Sequence, residues 1–178
     1  MRMILSFAAV MVGLFLLDTP SFAHVTLAVK EAPVGADYKA TFRVPHGCKG
    51  SATVKLSVEI PNGMVGVKPQ PKPGWQIEIV KGPYDKPYHH YRSEVTEGVK
   101  SVTWSGGNLP DDYYDEFVLM GYLDKGLQPG SWLYFPAVQT CEQGVERWIE
   151  IPADGKSSHD YRSPAPSLKL LPAVENSD

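Results

Sequence analysis

The stretch SATVKLSVEI, residues 51–60, decides the fold. Ala52, Val54, Leu56, Val58 and Ile60 alternate with Thr53, Lys55, Ser57 and Glu59, a period of two that sets apolar side chains on one face of a strand and polar ones on the other. Turn signals bound it on both sides, Pro45-His46-Gly47 before and Pro61-Asn62-Gly63 after. Working outward, the same period recurs at Tyr38, Ala40, Phe42 and Val44, and again at Trp75, Ile77 and Ile79. Further β-rich runs occupy Val99 to Trp104, Glu116 to Tyr122, Trp132 to Thr140 and Val145 to Ile151, with turns at Pro73-Gly74, Gly106-Gly107-Asn108 and Pro129-Gly130. After residue 23 no segment keeps a helical apolar stripe for three turns. Many short strands at this spacing predict an all-β fold, an immunoglobulin-like or Greek-key β-sandwich.

The ends of the chain read differently from the middle. Residues 1–23, MRMILSFAAVMVGLFLLDTPSFA, carry Arg2, an apolar run from Ile4 to Leu17, the helix breaker Pro20 and small residues at Ser21 and Ala23. This is the pattern of a cleaved secretory signal peptide, and the run is shorter than the roughly 20 residues a bilayer-spanning helix needs. Cleavage after Ala23 would make His24 the first residue of a periplasmic or extracellular protein. One domain is expected over 24–152. From 153 to 178 the chain is polar and proline-spaced, at Pro164, Pro166 and Pro172, and reads as a partly mobile tail in which Leu168 to Leu171 could dock as a short edge segment.

Two cysteines, Cys48 and Cys141, in a chain bound for an oxidising compartment predict one disulfide. Their lack of C-x-x-C spacing argues against a thiolate metal site. The net charge of −3 and the isoelectric point near 5.9 offer no electrostatic footprint for nucleic acid or an anionic membrane surface.

A histidine at the first position of an exported protein has two nitrogens that no internal histidine has together, a free α-amine and an imidazole. The two close a six-membered chelate ring on one ion, and nitrogen donors in a plane suit Cu(II). The amine's pKa of roughly 7.7–8.0 makes its deprotonation on metal binding cheap at neutral pH. By itself a leading histidine is more often an accident of where the peptidase cuts, so the chemistry needs a third ligand.

HVTL at 24–27, RVPHGC at 43–48, IPNG at 60–63 followed by the V-x-x-x-P-x-PGW segment ending at Trp75, WSGG at 104–107 and DEF at 115–117 together resemble the YcnI-like family of copper-binding proteins. The resemblance runs from His24 to about Ile151. It implies an exported immunoglobulin-like sandwich that holds Cu(II) by a monohistidine brace: the N-terminal histidine, a glutamate on a strand after the PGW turn, and a tryptophan close by. The histidine falls on His24 and the glutamate on Glu78. Strand parity agrees, since Trp75 and Ile77 facing the core would turn Gln76 and Glu78 outward. The tryptophan falls on Trp148, for which core packing is the competing reading. Cys48 and Cys141 are not part of the implied copper site, and the polar PAVENSD ending does not match the C-terminal membrane helix of many relatives.

Weaker candidates stand beside these. His89 and His90 point to opposite sides of any strand and read as a surface pair; His46 lies in the turn beside Cys48 and reads as structural. Asp111, Asp112, Asp115 and Glu116 lack the ligand spacing of a calcium loop and read as a solvated turn, with Glu116 the reserve carboxylate for copper. The function expected is non-enzymatic Cu(II) binding for copper homeostasis, uptake or delivery, with other copper-handling or membrane transport proteins as partners. The alternatives are a copper-dependent oxidative enzyme and a metal-free interaction module.

Overall fold

The structure, a computed structural model, describes residues 24–174, so the signal-peptide reading of residues 1–23 lies outside the described residues. Among the described residues twelve strands form three sheets. Four of them, β1 (Thr26–Leu27), β3 (Asp37–Val44), β8 (Asp115–Leu123) and β5 (Met64–Pro69), make one sheet in the order β1-β3-β8-β5. A five-stranded sheet takes β11 (Val145–Trp148), β10 (Ala137–Cys141), β4 (Thr53–Glu59), β7 (Ser93–Leu109) and β6 (Gln76–His90), in that order. A small third sheet places β12 (Ser167–Leu171) between β2 (Glu31–Pro33) and β9 (Trp132–Tyr134). Among the described residues no helix is long and apolar enough to cross a membrane.

The first two sheets face each other through aromatic side chains. Phe117 on β8 meets Trp104 on β7 edge-to-face at 5.6 Å between ring centroids, and Trp75 meets Phe117 at 4.8 Å and 89°. Phe42 on β3 packs on Phe135 at 5.6 Å. Such pairs add about 0.5–1.5 kcal/mol each beyond the area they bury. Trp75 reaches this position because it lies over Gly107, where any Cβ would collide with its indole.

The alternation read at residues 51–60 is present with one slip. Leu56, Val58 and Ile60 are buried as expected, but the register shifts between Thr53 and Lys55, so Thr53 is buried and Val54 only half so. The bulge re-aims Thr53 at Gln139 and Cys141 instead of leaving it in solvent. The expected run Trp132 to Thr140 is two strands in different sheets. Pro136 has no N–H to give a ladder, and the chain leaves β9 there to enter β10. Strand β5 is absent from the sequence reading because its Gly and Pro residues mask a strand that is buried at Met64, Val65 and Val67.

The domain boundary expected at residue 152 is corrected. β12 is the middle strand of its sheet rather than an edge segment, pairing in parallel with β2 and antiparallel with β9, and Leu168 and Leu170 are fully buried. Burial of a leucine contributes about 1.5–3 kcal/mol, so Ser167–Leu171 is an integral layer of the domain. Its alternation spans only two leucines, too short to stand out from a proline-spaced polar sequence.

Candidate metal centre at His24

His24 lies two residues before β1. Val25 and Leu27 are buried, and β1 pairs with β3 through Thr26 opposite Arg43 and Leu27 opposite Phe42. The imidazole of His24 is half-buried against Trp148, with ring centroids 5.2 Å apart and the planes tilted by 53°. Trp148 lies on β11, the edge strand of the five-stranded sheet, with only 6% of its surface exposed. The site therefore sits where the rim of one sheet meets the rim of the other.

A buried polar chain fixes Trp148 from behind. Its Nε1–H donates to Gln139 Oε1 at 3.2 Å, and Gln139 Nε2 donates to the His46 carbonyl and to Thr53 Oγ1, both at 2.8 Å. Thr53 Oγ1 in turn lies 3.7 Å from Cys141 Sγ. Cys48 and Cys141 are disulfide-bonded, as expected. A tight two-residue turn between Cys48 and Ser51, with Lys49 and Gly50 both at positive φ, holds Cys48 in place for that bond.

The C-terminal segment covers the other side of His24. The Arg162 backbone hydrogen-bonds the imidazole, and His159 stands near enough for its charge to be felt there. Desolvation by burial is the largest influence on His24 and pushes its pKa below the ordinary value; repulsion from His159 acts in the same direction and the Arg162 hydrogen bond against it. The imidazole is thus biased toward the neutral form, the one that offers a lone pair to a metal. A cavity of about 450 Å³ lies alongside, lined by His24, Glu31, Trp132, Ser158, His159 and Ser167 among others.

Glu78 is elsewhere. It lies on β6, and four strand spacings, about 19 Å, separate β6 from the β11 strand of Trp148. Glu78 is exposed, as parity predicts, but Trp148 faces the core, so the two residues lie on opposite faces of the sheet as well as at opposite edges. The structure brings His24 and Trp148 together and leaves Glu78 out. Glu116, the reserve carboxylate, lies in the row Thr26–Arg43–Glu116, two strands from β1, and is held by Arg43 Nε at 2.9 Å. Asp115 is paired with Lys72 at 2.7 Å. His89 and His90 lie at the far end of β6, opposite Glu94 and Ser93. Among the described residues no three side chains of His, Cys, Asp or Glu converge as a metal site.

What the sequence reading passed over is His159. The signal was present in Ser157-Ser158-His159-Asp160, a capping-box spacing that marks an ordered turn inside the supposed tail. Gln139, the hub of the buried chain, gives no sequence signal beyond its place in an apolar strand.

An immunoglobulin-like β-sandwich with a histidine just before its first strand describes the molecule's class. The chain is similar, at 29% identity and with a TM-score of 0.59, to an uncharacterized protein from Nocardia farcinica whose crystal structure reveals an immunoglobulin-like fold; the match covers 83% of this chain and 98% of that one. Residues 24–170 match the family described as a domain of unknown function, DUF1775, and the chain belongs to that family, which is the YcnI-like family. No curated protein matches the chain.

Proposed function

We propose that the protein binds Cu(II) outside the cytoplasm through His24, after removal of residues 1–23, and serves copper homeostasis, uptake or delivery. The observation that carries this reading is the environment of His24: an imidazole at the head of the domain, half-buried beside Trp148 and biased to its neutral form. Two of the donors that the family resemblance implies fit this residue, the α-amine that cleavage would create and the imidazole. The carboxylate does not fit at Glu78, which is four strands away. The start of the family match at His24 favours the same reading.

In this reading each neighbour has a task. Trp148 walls one side of the ion with an apolar ring and keeps water from it, and Gln139 holds the indole in place by its hydrogen bond. Copper is cargo here. The competing reading, copper-dependent oxidation, draws on His159 as a second imidazole near the first; O₂ consumption by the copper-loaded protein with ascorbate above that of free Cu(II) would favour it.

The test uses two forms of the chain, one beginning at His24 and one with Ala23 retained before it. The extra residue turns the α-amine into an amide and breaks the chelate, so Cu(II) affinity measured by competition titration should fall by orders of magnitude. Equal affinities would overturn the reading.

A further inference from the structure

The C-terminal segment places a second imidazole on the cavity that His24 lines, on a fixed support. His159 lies in a single 3-10 turn, Ser158–Asp160, closed by a capping box: Ser157 Oγ accepts from the His159 N–H at 3.2 Å, and the Ser157 N–H donates to Asp160 Oδ2 at 2.8 Å. The residues around the turn are tied to the domain as well. Tyr161 Oη accepts from the Ala153 N–H at 2.9 Å, the Ala165 N–H donates to the Glu150 carbonyl at 2.8 Å, and β12 follows with its two buried leucines. His159 is exposed on this support, yet it lines the same cavity as His24.

Of the carboxylates that might serve instead, one lines the cavity and the other two are held or distant. Glu31 lines the cavity but faces Lys169 Nζ at 3.9 Å; Glu116 is held by Arg43; Glu78 is on the far edge of the other sheet. We infer that His159 is the third copper ligand, completing with the amine and imidazole of His24 a set of three nitrogens. Such a set suits Cu(II), which ranks highest among divalent ions for nitrogen donors. Copper would then tie the C-terminal segment to the first strand. This assignment rests on the copper reading of His24.

Pulsed electron paramagnetic resonance of the chain beginning at His24, loaded with one equivalent of Cu(II), counts the coordinated imidazoles directly. Two are expected in the unaltered protein and one in His159→Gln, whose Cu(II) affinity should fall at least about tenfold. Because His159 is exposed, circular dichroism of the variant should match the parent, and the count in the unaltered protein needs no variant. One imidazole in the unaltered protein, or an unchanged spectrum and affinity in His159→Gln, would overturn the role of His159 and leave the brace at His24 standing. Absence of any N-terminal Cu(II) signal in the unaltered protein would remove the copper reading, and this assignment with it.

Discussion

At one edge of the five-stranded sheet, β11 turns Trp148 inward beneath His24 and the C-terminal segment; at the other, β6 leaves Glu78, Ile79 and Val80 in solvent. The strands resemble each other in sequence, each mixing aromatic, charged and β-branched residues. They differ in what covers them. β11 lies beside β10, whose Gln139 and Cys141 tie it to Thr53 and the disulfide, while β6 is an edge strand in a long hairpin with β7 that reaches the opposing sheet at its far end, where His90 packs on Gly66 and Tyr122. Beside the register shift after Val80 the alternation of β6 lapses, with Ile79 43% exposed and Val80 48%, and it resumes with Tyr84 and Tyr88 turned inward. A carboxylate on an uncovered edge has no imidazole to meet, whereas a histidine at a covered edge acquires neighbours, a shifted pKa and a cavity.

The contrast can be broken at three places. The largest effect should come from the disulfide that anchors the covered edge. It closes a separation of 93 residues, so in the chain-entropy account replacing Cys48 and Cys141 together by Ser should cost about 4–5 kcal/mol of stability, less any native strain. Denaturant titration reads this, and a loss below about 1 kcal/mol would mean that the covered edge is held by packing alone.

Next is Trp148→Phe. The phenyl ring cannot donate, which leaves the Oε1 of Gln139, a residue only 1% exposed, without its partner. An unsatisfied buried acceptor costs about 1–3 kcal/mol. The same titration should show that loss, and an unchanged midpoint would show that the Gln139 hub does not depend on Trp148.

The smallest effect belongs to the uncovered edge. Glu78→Gln alters an exposed side chain away from His24 and should change stability by no more than about 0.5 kcal/mol. Cu(II) affinity should be unchanged too. A tenfold loss of affinity in this variant would return Glu78 to the site and require β6 to reach His24.

Strand identity was legible wherever period two had a buried face to report. Tyr38 to Val44 and Leu56 to Ile60 are the examples, and the pairing of the only two cysteines followed from their number. His24 lies beside Trp148, a proximity that the family resemblance implies and no periodicity does. Glu78 failed for a definite reason. Parity tells which face of a sheet a residue occupies and is silent on which edge, because the order β11-β10-β4-β7-β6 is set by pairings between strands distant in sequence.

The sequence by itself determined the all-β class, the disulfide partners and the outward face of Glu78, all of which depend on local alternation or on simple counting. Tertiary structure alone decided that β12 is a central strand, that Gln139 links Trp148 to the disulfide, and that His159 shares a cavity with His24. Each of these joins segments far apart in the chain. No local pattern encodes such a meeting, since it arises only when the rims of separate sheets are closed over one core.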